Sequence, residues 1–277
     1  MLLFLFIPIS IVCTYSLLTK GVYGGIVSTF TLDNFHRAFD LLYIQIFWQS
    51  LVLAALTAIS CLLMGYPVAY VMATASSRKR VVLMMLLIVP FWTNFVVRTY
   101  ALKVFLGEEG PISAILLSLG WISQPLQFSN SYLMVWLGMI TNYLPYMVLP
   151  LYVSVEKFDF SLLEAGRDLG ASAWNNFWKV LVPLTRPGII TGLILVFTPA
   201  LGEFLIPDLL GGAKTMLLGN LITEQFLKMR DWPFGSALSA LLMLVVTISL
   251  IVVLRIWMGE EEKSRKRKIV VTAEALG

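Results

Sequence analysis

Six stretches of this chain are long and apolar enough to cross a lipid bilayer, which limits its fold more than any single motif does. A hydrocarbon layer about 30 Å thick needs roughly 20 mainly apolar residues in a helix rising about 1.5 Å per residue. Such runs fall near residues 1–18, 49–73, 82–106, 131–153, 188–206 and 234–258. The expected fold is therefore all-α: a polytopic membrane protein with six transmembrane helices. Composition agrees, since 58% of the 277 residues are hydrophobic and 13% are charged. Mean hydropathy is +0.85, well outside the range of an ordinary soluble domain. The first run lacks a basic segment before it and small residues after it, so it reads as a retained helix and not as a cleaved signal peptide.

Lys and Arg placement sets the orientation, because loops on the cytoplasmic side retain positive charge. The turn Ser76-Ser77-Arg78-Lys79-Arg80 is basic, and so is the tail with Lys263, Arg265, Lys266, Arg267 and Lys268. The loop after the third span carries Glu108 and Glu109 instead. This distribution predicts that both termini and the basic turn are cytoplasmic. The net charge of +4 is then a topology signal, and attraction of the tail to anionic headgroups explains it without a nucleic-acid partner. Cys13 and Cys61 both lie within predicted spans, and His36 is alone in an outer loop, so neither a disulfide framework nor a metal site is expected. No Ser/His, Cys/His or metal-ligand constellation appears in the spans, and the chain is expected to need no cofactor and to catalyse no reaction.

The chain reads as one domain over residues 1–277. Two loops on the outer side are long enough to hold structure: residues 19–48, whose mixed aromatic and polar residues suit an interfacial helix, and residues 207–233. At the end of the second, Asp231 is placed to cap the sixth helix, with Pro233 in its first turn. The fourth and fifth spans are joined by the most informative segment, residues 154–187. Ser161 and Glu164 have capping-box spacing, and Gly170 suits the left-handed residue that ends a helix. Ser172 is placed to cap a second helix whose Trp174, Phe177, Trp178 and Leu181 recur at helical spacing, before Pro183 and Pro187 break it. An ordered hairpin of this length points to docking. The alternative is an interfacial helix lying along the membrane, which suits the aromatics of residues 174–181 better than the small and charged residues before them.

The run Glu164-Ala165-Gly166, with Gly170 four residues on and then Val182-Pro183-Leu184, resembles the EAA loop of binding-protein-dependent ABC permeases. In that family the loop forms a coupling helix that fits a groove on the ATPase subunit. The resemblance assigns Ser161, Glu164, Ala165, Gly166, Asp168 and Gly170 to ATPase coupling. Its third position is usually alanine, so Gly166 is a departure expected to soften the helix. Val89-Pro90-Phe91-Trp92-Thr93-Asn94, Leu201-Gly202-Glu203-Phe204, Pro207-Asp208-Leu209-Leu210-Gly211-Gly212 and Arg230-Asp231-Trp232-Pro233 are similar to spermidine/putrescine permeases, and the likeness runs from Phe30 to about Trp257. Relatives carrying other small solutes share parts of this pattern.

The resemblance implies a type I ABC importer permease fold in a bacterial inner membrane, forming half of a polyamine pathway. The partners it implies are two copies of a cytoplasmic ATPase subunit, a second permease chain, a soluble substrate-binding protein and the lipid bilayer. No P-loop occurs here. Gly211-Gly212-Ala213-Lys214-Thr215 lacks the upstream glycine spacing that cradles phosphate. A stand-alone secondary transporter is the competing class, but no inverted repeat is visible and the hairpin would have no purpose in one.

Charge inside a span is costly and marks candidate function. On straight helices Arg98 would lie about 27 Å beyond Arg80 and Glu203 about 24 Å beyond Pro187, at similar depth. Two readings are open: the pair neutralises itself, or Glu203 and Asp208 receive a cationic substrate while Arg98 serves as a gating or structural partner. Trp92, Tyr100 and Tyr143 add ring faces that attract ammonium groups, and Asn94 and Asn142 add hydrogen bonds. Pro199 and Gly202 are expected to interrupt the fifth span beside Glu203 and leave carbonyls free to face a cation.

Overall fold

The computed structural model describes residues 2–125, 130–212 and 215–275, with side chains for all of these except residues 2, 3, 5, 254 and 256–275. The basic side chains of the tail, and Lys214, lie outside what is described. The chain divides into two compact units, Met1–Phe35 with Trp232–Gly277, and His36–Asp231.

In the first unit, helix α1 (Leu2–Ser16) packs along α13 (Trp232–Ala275), and a small antiparallel hairpin of β1 (Leu18–Lys20) and β2 (Ile26–Phe30) adjoins them. The hairpin departs from the interfacial helix expected over residues 19–48. Gly24 and Gly25, at φ 90° and 82°, supply the left-handed turn that other residues resist. The β-branched Thr19, Ile26, Val27 and Thr29 then favour extended chain. Buried Asn34 ties the hairpin down, its Nδ2 donating to the carbonyls of Ser16 at 3.0 Å and Leu18 at 2.8 Å. A short helix, α2 (Asp33–Ala38), leads onward. Pro233 stands in the first turn of α13, as the sequence predicts.

The second unit is built on three long helices, α3 (Leu41–Thr74), α7 (Tyr132–Glu156) and α11 (Arg186–Leu201). Helix α3 starts eight residues before the apolar run at 49, directly after the turn in which the Phe39 and Asp40 amides bond back to the His36 and Arg37 carbonyls. Their close approach depends on missing side chains. A Cβ at Gly188 would stand 2.4 Å from Ser154 Cβ and 2.6 Å from the Pro150 carbonyl, and one at Gly192 would stand 2.5 Å from Met147 Sδ. These two glycines, four residues apart, let α11 lie directly on α7, which is how helices associate where no hydrophobic force distinguishes a neighbour from lipid.

Length and apolarity qualify α3, α7 and Trp232–Val253 of α13 as spans. Two bent helix pairs meet the same test only when each pair is taken together. Ser77–Trp92 and Phe95–Ser118 meet at 97°, and Ala173–Leu184 meets Arg186–Leu201 at 69°. The apolar helix at the start of the chain is shorter than these. The straight third span expected over 82–106 is therefore corrected: α4 (Ser77–Ile88) runs through a tight 3-10 turn at Val89–Trp92 and stops, and α5 (Phe95–Leu106) starts anew. Pro90 donates no amide hydrogen, Thr93 is extended, and Asn94 Oδ1 accepts from the Val96 amide at 2.8 Å to cap the new helix. Helix α6 (Pro111–Ser118) follows. The depth assigned to Arg98 along a straight helix from Arg80 fails for the same reason.

Candidate functional site

Glu203 sits where α11 has ended and a second, shorter helical segment begins. Its side chain is 8% exposed. Oε1 accepts from the backbone amides of Phe204 at 3.0 Å, Leu205 at 2.8 Å and Ile206 at 3.3 Å, and Oε2 accepts from the hydroxyl of buried Tyr143 on α7. Four donors thus converge on one side chain, and three of them are the amides that the start of any helix leaves unpaired. The helix dipole adds to the fit, since a carboxylate is favoured at that end. The interruption at Gly202 matches expectation, whereas Pro199 lies inside α11 and does not interrupt it. The free carbonyls do not match expectation: those of Gly202 and Glu203 each lie 2.5 Å from where a Cβ of Gly219 would stand, and the Phe204 carbonyl accepts from Asn220 Nδ2 at 2.7 Å. Helix α12 (Leu218–Leu227) therefore covers the carbonyls expected to face a cation.

Arg98 is not paired with Glu203. Its guanidinium carbon lies 5.5 Å from the centre of the Phe91 ring, and its Nε is buried without a hydrogen-bond partner. Phe91 stands edge-on to Tyr146 at 4.9 Å, and Tyr146 lies 6.1 Å from Tyr143. An aromatic chain on α7 and the 3-10 turn thus runs from Arg98 to the Tyr143 and Glu203 pair. The two charges form no ion pair in this structure.

The remaining expected residues scatter. Asn142 is 2% exposed, with Nδ2 donating to the Gly138 carbonyl at 2.8 Å and to Thr99 Oγ1 at 3.4 Å, and its Oδ1 is buried unpaired. Asn94 spends its oxygen on the α5 cap. Trp92 is 84% exposed and Tyr100 is 49% exposed. Asp208 is exposed and lines a separate cavity of ≈ 570 Å³ with Asn220, Thr223 and Glu224. Lys103, Phe91 and Tyr146 were not expected. Lys103 Nζ donates to the Leu209 carbonyl at 2.7 Å, and its place in an apolar run was the signal for it.

The hairpin between α7 and α11 is well formed. Helix α8 (Ser161–Asp168) ends on Gly170 at φ 81°. The Ala171 amide donates to the Gly166 carbonyl at 2.9 Å and the Gly170 amide to the Arg167 carbonyl at 2.8 Å, a paired closure that satisfies the last carbonyls. Ser172 Oγ accepts from the Asn175 amide at 3.3 Å and caps α9 (Ala173–Asn176). A π turn (Phe177–Leu181) and a short α10 (Val182–Leu184) carry the chain to the break at Thr185. The capping box at Ser161 is corrected: Ser161 is the first residue inside α8, and Asp159 Oδ1 accepts from its amide at 3.0 Å. Hydrogen bonding to Ser161 holds the Asp159 carboxyl below the usual carboxylate range. Gly166 has a specific neighbour, since a Cβ there would stand 2.3 Å from Oδ1 of buried Asn176, whose Nδ2 donates to the Leu163 carbonyl at 2.9 Å. The side chains of Glu164, Ala165 and Asp168 are exposed. The basic turn lies at the same end of the unit, because Arg80 pairs with Glu156 at the end of α7 at 2.7 Å.

Comparison with known proteins fits this arrangement. Residues 65–260 match the family described as binding-protein-dependent transport system inner membrane component. The chain belongs to that family. The permease is 45% identical over 252 residues to the spermidine/putrescine transport system permease protein PotB of Escherichia coli (strain K12), covering 91% of this chain and 92% of that one. It is 42% identical over 255 residues to PotB of Haemophilus influenzae, covering 92% and 89%. Among solved structures, a bacterial ABC transporter importing the acidic polysaccharide alginate aligns with TM-score 0.71 at 16% identity, over 90% of this chain and 87% of that one. The MetNI methionine ABC transporter aligns with TM-score 0.56 at 14% identity, over 77% and 93%. The fold is thus that of an ABC importer permease, and this permease is an inner-membrane component that works with an ATPase and a substrate-binding protein.

Proposed function

We propose that this permease forms half of an inner-membrane pathway for polyamines. The observation that carries the substrate class is identity of 42–45% to spermidine/putrescine permeases over nine-tenths of the chain. Six spans complete that half, counting α1, the two bent pairs, α3, α7 and α13, with both termini and the basic turn in the cytoplasm. A second, related permease supplies the other half, and the open faces bearing Trp92, Tyr100 and Asn94 are turned toward it. Glu203, with Tyr143, and Asp208 in its outer cavity receive ammonium groups, Asn142 adds a hydrogen-bond acceptor, and Arg98 on its ring acts as the gate. The hairpin Ser161–Leu184 is the coupling element: Ser161, Glu164, Ala165, Gly166 and Asp168 meet the ATPase, while Gly170 fixes the end of the helix. ATP hydrolysis belongs to that separate subunit, present in two copies.

Uptake of labelled spermidine and putrescine, against an unrelated cation, by cells in which this chain replaces the native permease tests the reading. Saturable uptake of either polyamine that requires the ATPase supports it. Equal uptake of all three cations, or of none while another solute enters, refutes it.

A further inference from the structure

Thr185 stands at the 69° bend between Ala173–Leu184 and Arg186–Leu201 and is fully buried at 0% exposure. Every polar atom it has is bonded. Its amide donates to the Leu181 carbonyl at 3.0 Å and its hydroxyl to the same carbonyl at 2.8 Å. With that single hydroxyl hydrogen used, the 2.8 Å contact to Tyr66 on α3 must be donated by the tyrosine. Its carbonyl accepts from Ser154 Oγ on α7 at 3.2 Å and from the Gly188 amide at 3.1 Å. One residue at the bend is therefore bonded to both other long helices.

The two arms differ in how they are held. Beyond Thr185, Gly188 and Gly192 press α11 onto α7 with no room for a side chain, so that arm is fixed. Before it, the π turn replaces the usual ladder, the Val182 amide donating to the Phe177 carbonyl, and such turns recur at functional sites within helices. The Phe177 ring meets Tyr66 edge-on at 5.4 Å. A swing of the hairpin arm thus pulls first on Tyr66 and Ser154.

We propose that Thr185 is the joint through which movement of the hairpin reaches the membrane core, with Tyr66 and Ser154 as its anchors; this rests on the coupling role given above. It is a positioning residue, since it meets neither ATP nor substrate. Thr185→Val keeps the branched shape and removes the hydroxyl, Tyr66→Phe removes the donor alone, and Thr185→Ser restores both bonds. Each is assembled with the second permease, ATPase and binding protein in proteoliposomes, and labelled spermidine imported per ATP hydrolysed is measured.

Thr185→Val and Tyr66→Phe are expected to retain the ATPase and its stimulated hydrolysis while import per ATP falls about fivefold, the scale of one lost buried hydrogen bond, and Thr185→Ser is expected to recover it. Unchanged import per ATP in both variants, or a parallel fall in hydrolysis and import, overturns the joint while leaving the docking role intact. Full ATPase association in a Glu164→Lys control removes the docking role, and the joint falls with it. If Thr185→Val fails to assemble, Tyr66→Phe alone decides.

Discussion

Replacing Glu203 separates its two possible tasks, because the structure makes their costs unequal. In Glu203→Ala the Ile206 amide and the Tyr143 hydroxyl, both buried, lose their acceptor. A buried donor left unpaired costs about 1–3 kcal/mol, so the broken span should be destabilised by about 2–6 kcal/mol. In Glu203→Gln the amide oxygen can take the three backbone donors, and the Tyr143 hydroxyl can rotate to accept from the amide nitrogen. Only the difference between charged and neutral hydrogen bonds is lost, about 1 kcal/mol. An ammonium group that uses the carboxylate loses more, about 1.5–3 kcal/mol, or roughly 10- to 150-fold in affinity. Thermal unfolding of the purified assembly and the KM for spermidine uptake read the two quantities separately. Glu203→Gln should melt near the parent protein and show a KM raised at least about tenfold. A variant that melts like the parent and takes up spermidine within about twofold of it, a change under about 0.5 kcal/mol, refutes the cation role and leaves Glu203 as a helix cap.

The hairpin gives three more tests. Gly170→Pro, at a residue held at φ 81°, should abolish copurification of the ATPase while the protein still inserts, and undiminished copurification would contradict the docking role. Gly166→Ala forces Asn176 aside and should weaken ATPase association, whereas Gly166→Ala with Asn176→Ala should recover it. Non-recovery would show that the contact is not what limits the site. Asp159 has a folded-state pKa below its ordinary value, so the cap on α8 contributes above the usual carboxylate range near about 4 and is lost as pH falls through the lower folded value. Proteolytic nicking of the hairpin should accordingly rise in that acid window in the parent but be insensitive to pH in Asp159→Ala. For topology, a cysteine at exposed Ser77 should be shielded from an impermeant thiol reagent in intact cells and one at exposed Glu109 should react. The reverse labelling would overturn the orientation.

What could be read in advance was chemistry local to the backbone. Gly170, Ser172 and Pro187 each mark a helix end through their own φ preference, side-chain acceptor or missing amide, and each mark holds in the folded chain. Ser161 fails because Asp159, two residues earlier, reaches the same first turn with a better acceptor. The break at Thr93 was hidden by composition: residues 82–106 are predominantly apolar, and hydropathy does not register that Pro90 and Asn94 together end one helix and start another. Tertiary partners were beyond reach, since Tyr143 is 60 residues from Glu203 and nothing near either names the other. Gly188 and Gly192 did carry a visible signal, their four-residue spacing in an apolar run, which helix counting passes over.

The three charges Glu203, Lys103 and Arg98 are held in two ways. Breaking a span exposes backbone groups that must be satisfied, and this chain uses them to hold ions. Glu203 takes the free amides at the start of the segment after Gly202, and Lys103 donates a hydrogen bond to the Leu209 carbonyl in the π turn Pro207–Gly211. Both ions are thereby fixed to backbone that cannot leave without unwinding. Arg98 is held otherwise, on the face of Phe91, in a contact worth about 0.5–2 kcal/mol with no directional bond at its Nε. Of the three, Arg98 is the one whose release breaks no helix end. A gate must change state many times without unfolding its frame, and among these three residues only Arg98 meets that condition.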